Sequence, residues 1–308
     1  MSVASWRARR ASHPVALVGA AVTVLITLVV SGVATVIPVS AASSTSVAAA
    51  ARPKRIVSLS PTATEMLFAI GAGRQVIAVD DKSNYPKSAP RTKLSGFQPN
   101  VESITGYKPD LVILSDGGVA DALRQLGVRA LVQLPATTVA DSYRQLTALG
   151  SVTGNRSGAT RVVASMKSEL GRLAASVPKR SPQPTVYYEL DNTFFSASSH
   201  SFIGQILAMA GLKNIADQAD QSGSGYPQLS QEYIISANPT YIFLADTKCC
   251  AQSPAAVASR PGWSQLTAVT GRHVVALDDD IASRWGPRTV QLFRTVVAEV
   301  QGTQAKAA

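Results

Sequence analysis

The sequence predicts an α/β protein built from two similar lobes. Three observations carry that expectation. A fifteen-residue pattern occurs twice, at 102–116 and 232–246, with Glu, Ile, Pro, Leu and Asp at matching offsets. Short apolar and β-branched runs alternate with segments of helical period, the pattern of a mostly parallel sheet. A Pro-rich stretch at 177–184 separates the halves as a rigid connector. One duplication at this distance suits two lobes around a cleft, not a solenoid of short repeats.

The elements follow in order. Residues 55–60 read as a strand ending at Pro61, and Thr62 or Thr64 as the cap of a helix through 65–70 that stops at Gly71 and Gly73. Residues 76–79 are the next strand, and 82–86 and 95–99 are loops marked by Pro, Gly and Asn. In the first repeat a short helix at 101–106 is cut off by Pro109, a strand follows at 111–114, and Asp116 turns the chain. A helix at 120–126 stops at Gly127, and 130–134 is a strand. Helices follow at 139–149 and 157–176, the second with Val162, Val163, Met166, Leu170 and Leu173 on one face.

Beyond the connector the order returns: a strand at 185–190, a Ser-rich loop at 195–201, and a helix at 202–210 ended by Gly211. A flexible polar loop at 217–225 precedes the second repeat, whose Asp246 again reads as a turn residue. A Pro- and Ala-rich stretch reaches Trp263, a last strand lies at 274–277, and Asp278, Asp279 and Asp280 open a loop before an amphipathic helix at 289–300.

The N-terminus is basic through Arg10, apolar over 14–39, then small and polar, which is an export signal. Val39, Ser40 and Ala41 offer a cleavage site, and the apolar run is also long enough to act as a retained membrane anchor. With no cysteine near its end, anchoring through a lipid-modified Cys is not expected. The formal charge is +10, but the basic residues are scattered and no basic run with interleaved aromatics occurs, so nucleic acid is not an expected partner. The two cysteines, Cys249 and Cys250, are adjacent; a strained vicinal disulfide and two locally packed thiols both remain open.

No Walker A, Gly-x-Gly-x-x-Gly, Gly-x-Ser-x-Gly or His-Glu-x-x-His pattern occurs. Of three histidines, His13 is in the leader, and His200 and His273 make neither a nucleophile–base pair nor a metal site; both read as loop or surface residues. No catalytic residue, metal site or cofactor is expected. Loops at strand C-terminal ends are where open α/β sheets bind ligands. Tyr85, Phe97 with Gln98, and Tyr226 stand in such loops outside the apolar periodicity, as flat walls for a large ligand. Arg284 offers a guanidinium to an anionic ligand group or to Asp278, Asp279 or Asp280. Glu102 and Glu232, matched by the repeat, are either helix-dipole partners or twin acidic pegs for a two-fold partner.

Several stretches together resemble a known family: Arg55-Ile-Val-Ser-Leu-Ser-Pro-Thr-Ala-Thr-Glu65, Lys108-Pro-Asp-Leu-Val-Ile113, Ser201-Phe-Ile-Gly204 with Ala210-Gly-Leu-Lys-Asn-Ile215, Tyr226-Pro-Gln-Leu-Ser230 and Arg260-Pro-Gly-Trp263. From about residue 52 to 300 the chain resembles the substrate-binding proteins of ABC importers for ferric siderophores, haem and cobalamin. The resemblance implies two Rossmann-like lobes joined by one long helix, which 157–176 fit, with little hinge motion and a ligand in the cleft. In that family one Glu per lobe pairs with Arg residues of the dimeric permease, which assigns docking to Glu102 and Glu232. The cobalamin binder's cleft aromatics are matched by Phe97 and Tyr226, and its cleft Asp by Asp280. Its other aromatic positions are Lys82, Ser115 and Ile281 here, which leaves room for a siderophore.

The expected organisation is a leader at 1–41, a disordered tether at 42–53, lobes at 54–150 and 185–301, a bridging helix and connector at 151–184, and a disordered tail at 302–308. The expected function is a monomeric, exported, non-enzymatic receptor that delivers an iron chelate or corrinoid to a permease dimer with its ATPase. A membrane-tethered sensing module is the alternative.

Overall fold

The computed structural model describes residues 52–307, with side chains to Gly302; the leader and most of the tether lie outside the described residues. Arg52 and Pro53, expected to end a disordered tether, belong to the fold: Pro53 is buried and its carbonyl accepts from Gln75 Nε2 at 2.8 Å.

The first lobe contains β1 (Ile56–Leu59), α1 (Pro61–Ala69), β2 (Val76–Val79), α2 (Val101–Thr105), β3 (Leu111–Leu114), α3 (Ala120–Gln125), β4 (Arg129–Val132) and α4 (Val139–Thr153). The long α5 (Arg156–Ala175) leads to β5 (Thr185–Glu189), α6 (Phe202–Met209), β6 (Lys213–Asn214), α7 (Gln231–Ala237), β7 (Tyr241–Leu244), α8 (Pro254–Ala258), α9 (Thr267–Thr270), β8 (Val274–Ala276), α10 (Asp279–Ala282) and α11 (Thr289–Ala307). The strands form two parallel sheets, β2-β1-β3-β4 and β6-β5-β7-β8. The second order reproduces the first, strand for strand.

The sequence repeat maps onto α2–β3 and α7–β7. Glu102 and Glu232 each occupy the second helical position, behind side-chain caps from Asn100 and Ser230. Each helix is followed by a left-handed residue before the proline, Lys108 at φ 49° and Asn238 at φ 42°. Proline disfavours the α conformation in the residue before it, so the chain leaves the helix at the same step in both lobes.

Four parallel strands with helices on their faces must be apolar throughout, and β1, β3 and β7 are buried at every position. On α5, Ala159 and Met166 join the first lobe's core, and Leu170 and Leu173 the second's. Gly158 seats the helix, because a Cβ there would lie 2.0 Å from the Ile70 carbonyl oxygen. α4 crosses beside it: Leu146 and Leu149 pack in the first core, Val139 packs in the second, and Val139 N–H donates to Gln205 Oε1 at 2.6 Å. The crossing is therefore double-stranded, and α4 runs past the boundary expected at 150.

Four details differ from expectation. Ser60, not Thr62 or Thr64, caps α1, because Pro61 pre-sets the first helical position one residue behind it. The loop at 217–225 is knitted together by Asp220, which accepts from Ser198 Oγ, His200 Nδ1, Ser224 N and Gly225 N; these bonds, Ser198's first, hold its carboxyl well below the usual range. His273 is buried on the Tyr241 ring, with Nδ1 2.8 Å from Glu299, instead of lying at the surface. α11 continues through 302–307, where a disordered tail was expected; no proline interrupts Thr289–Ala307, and Gly302 is carried within the helix.

Candidate functional site

The strand C-terminal ends of the two sheets carry the loops that meet between the lobes. Asp80, buried at the end of β2, turns the first of these by accepting from Lys82 N and Ser83 Oγ at 2.8 Å each; burial, ahead of those bonds, holds its carboxyl above the usual value. This places Lys82, Asn84 and Tyr85 at the junction. Gly96 passes against the Leu59 carbonyl, where a Cβ would lie 2.9 Å away, and carries Phe97 and Gln98 to the surface.

Across the junction, one buried ion network ties the lobes together. Glu65 on α1, with a side chain 1% exposed, accepts from Arg284 Nη1 at 2.7 Å, and from Arg288 Nε at 2.9 Å and Nη2 at 2.5 Å. Arg284 also donates to Asn84 Oδ1, the Lys82 carbonyl and Asp280 Oδ1 at 2.9, 3.0 and 2.6 Å. Asp280 accepts further from Asn84 Nδ2 and Lys248 Nζ at 2.9 and 2.7 Å. Burial opposes its ionisation, but the Lys248 and Asn84 bonds and the Arg284 charge keep its carboxyl below the usual range. Arg288 lies 4.3 Å over the Tyr85 ring.

Of the two partners expected for Arg284, the structure supplies Asp280 and adds Glu65 across the lobes: the side chain is buried and its terminal nitrogens are spent on protein acceptors. Asp280 stays partly exposed within the same network. Tyr85, Phe97 and Tyr226 are exposed as expected, Phe97 to 88%. The structure adds Phe195, exposed after β5 and paired through a β-bridge to Gln228, two residues from Tyr226. Among the described residues these four are the exposed large aromatics, and all lie in loops on this edge. Phe195 meets the same test that picked out the others, an aromatic in a polar loop. Glu65, Asn84, Lys248 and Arg288 carried no local signal, because their partners are distant in sequence. A groove of about 420 Å³ with mixed walls lies elsewhere, along β4 and α4, with Leu131, Leu134 and Ala148 beside Gln133, Asp141 and Arg144. It contains none of the four aromatics.

The two repeat aspartates diverge. Asp116 is an exposed turn residue whose Oδ1 accepts from Gly118 N at 2.8 Å. Asp246 is fully buried, and neither carboxyl oxygen has a hydrogen-bond partner. Beside it Glu189, also fully buried, is held bidentately by Arg260 at 2.7 and 2.5 Å. Arg260 in turn lies 4.5 Å over the Trp263 ring, so the Arg260–Trp263 motif builds the floor of this chamber. Arg260 is bonded to Glu189 and Gln252, not to Asp246, and burial, then the Glu189 charge, push the Asp246 carboxyl up to about 7. A raised folded-state value means that stability is fully present below the unfolded value near 3.8 and is lost as pH rises through about 7. Thermal unfolding should therefore occur at lower temperature at pH 8 than at pH 6. Asp246→Asn should shrink that difference, with roughly 2–4 °C for each kcal/mol at this size. An undiminished pH 6 to 8 difference in the variant would contradict this account.

A family model described as periplasmic binding protein matches residues 56–281. An ABC transporter substrate-binding lipoprotein of Bacillus subtilis is 32% identical over 250 residues, spanning 78% of this chain and 77% of that protein. A cobalamin-binding protein of Halobacterium salinarum is 31% identical over 260 residues, spanning 81% and 70%. Among solved structures, a possible iron-binding periplasmic solute-binding protein of Staphylococcus epidermidis superposes with a TM-score of 0.70 at 24% identity, covering 81% of this chain and 99% of that one.

Proposed function

Because the chain belongs to the periplasmic binding protein family, we propose that it is an extracytoplasmic receptor that captures a corrinoid, haem or ferric-siderophore ligand between its lobes and hands it to an ABC permease. One observation supports the ligand class above others: all four exposed aromatics stand on the strand edge that the two lobes share. Such rings suit a large, flat, partly apolar ligand, and Gln98, Asn84 and Lys82 supply polar contacts around them. The cobalamin-binding relative points to the corrinoid as the first ligand to try.

In this role Tyr85, Phe97, Gln98, Phe195 and Tyr226 contact the ligand, and Asp280 borders it. Arg284 supports the site from below by fixing the angle between the lobes. Capture needs no proton transfer or covalent step; the work is desolvation of a preformed surface, with lobes already locked by Glu65. The relatives' names favour an exported or surface-held position and an ABC permease with its ATPase as partner.

Cyanocobalamin, haemin and a ferric siderophore panel, titrated against the purified protein, should give saturable quenching of Trp and Tyr fluorescence with at least one ligand. Phe97→Ala, Phe195→Ala and Tyr226→Ala should each weaken that binding about tenfold, equivalent to about 1.4 kcal/mol. Their melting temperatures should stay near wild type, because exposed positions contribute within about 0.5 kcal/mol. A flat response across the panel would sink the ligand class.

A further inference from the structure

Cys249 and Cys250 are the chain's two cysteines, and both are free, Cys249 exposed and Cys250 half-buried. They occupy the β7–α8 loop, which is pinned on either side of them. Backbone N–H groups of Thr247, Lys248 and Cys249 converge on the Asp279 carboxylate at 2.9, 2.8 and 3.0 Å. Lys248 Nζ reaches Asp278 and Asp280 at 2.9 and 2.7 Å. Behind the pair, Cys250 N and Gln252 N return to the Asp246 carbonyl, and Ala251 turns the chain at φ 54°. The loop is held by backbone and lysine contacts, so the sulfurs are not needed to shape it.

The two thiols are side chains of adjacent residues on this pinned loop, one exposed and one half-buried. Burial, then the adjoining Cys250 thiol and the nearby Asp279 and Asp246 carboxylates, push the Cys249 thiol up to about 12. A thiol held protonated is a poor metal ligand. Among the described residues no group of three or more Cys, His, Asp or Glu is placed to hold a metal ion. The chemistry left to an adjacent pair of thiols is closure on each other.

We propose that Cys249 and Cys250 form a reversible two-electron redox site, closed into a vicinal disulfide by exchange with a small-molecule disulfide. One cysteine gives up its proton as its sulfur attacks the oxidant's S–S bond, and the expelled oxidant thiolate takes up that proton. The neighbouring cysteine loses its proton, attacks the mixed disulfide at the protein sulfur, and expels the second. Two protein S–H bonds and one oxidant S–S bond give one protein S–S bond and two oxidant thiols; the protein sulfurs are oxidised and the oxidant's reduced. Adjacent Cα atoms lie about 3.8 Å apart, short of the roughly 4.4 Å at which ordinary disulfides begin. The ring is therefore strained, and strained or exposed disulfides are the labile, regulatory ones. Through Lys248 and Asp280 the loop also touches the cross-lobe network, so the redox state is set beside the ligand edge.

The test is intact-mass analysis of the full chain after incubation with oxidised glutathione. The expected product has lost two hydrogens, carries no glutathione, and regains both thiols with dithiothreitol. Cys249→Ser and Cys250→Ser should each retain one glutathione on the remaining sulfur. Two glutathiones on the wild-type chain, a disulfide-linked dimer, or two unmodified thiols would overturn the proposal. The readout needs no cleft ligand, so its failure is distinguishable from failure of the receptor reading.

Discussion

Glu65→Ala is expected to destabilise the protein by about 3–5 kcal/mol, the range seen when one partner of a buried ion pair is removed. The substitution strands two cations at once. Arg284 and Arg288, with side chains 7% and 12% exposed, both point at Glu65. Arg284 keeps Asp280, Asn84 and the Lys82 carbonyl, and Arg288 keeps the Tyr85 ring, so the loss is partial for each. Thermal unfolding should register a fall of roughly 10 °C at this chain length. Glu65→Gln keeps the volume and one acceptor and should fall between wild type and Ala. The triple change Glu65→Leu, Arg284→Met, Arg288→Met should recover much of the loss, because apolar residues of similar size commonly replace buried ion groups at little cost. A melting temperature within a degree or two of wild type for Glu65→Ala would remove the network from the account of how the lobes are held.

The same geometry bears on motion. The lobes are joined by α4 and α5, whose apolar faces enter both cores, and by the Glu65 network on the opposite chain connection. A hinge opening would have to break buried charge contacts and shear two helices together. Ligand capture with small lobe displacement is the outcome those two ties favour.

What the sequence revealed about this fold depended on how local the signal was. The duplicated pattern at 102–116 and 232–246 was legible because helix exit, proline and strand are local events. They occur at the same offsets in α2–β3 and α7–β7. The apolar stripe of α5 was legible for the same reason. Short elements were not: β6 has two residues and α9 four, too few to show a period. Site residues divided in the same way. Tyr85, Phe97 and Tyr226 stood out as aromatics among polar neighbours. For Arg284 the local partner Asp280 was legible, but Glu65 was not, because it lies 219 residues away. Asp246 and Asp116 look alike in the repeat, yet only Asp246 meets a second buried acid, Glu189. That difference arises from packing, which no single-chain pattern records.

Replacing both repeat glutamates, Glu102→Ala with Glu232→Ala, is expected to abolish uptake while leaving ligand affinity unchanged. The structure supplies the premise: both are exposed, both sit at the second position of a short capped helix, and both helices precede the third strand of their own sheet. Pseudo-equivalent acids on two lobes suit a partner with two equivalent basic sites. Each lost pair is expected to weaken docking about tenfold, so the double change should cost on the order of a hundredfold and each single change an intermediate amount. Reversal to Arg should exceed truncation, because like charges would then face each other. The competing explanation, compensation of the helix dipole, is worth only about 0.3–1 kcal/mol per site. It would appear as a small fall in melting temperature with uptake intact. Radiolabelled-ligand uptake in cells, beside fluorescence titration of the purified variant, separates the two. Wild-type uptake by the double variant, or a parallel loss of ligand affinity, would refute the docking role.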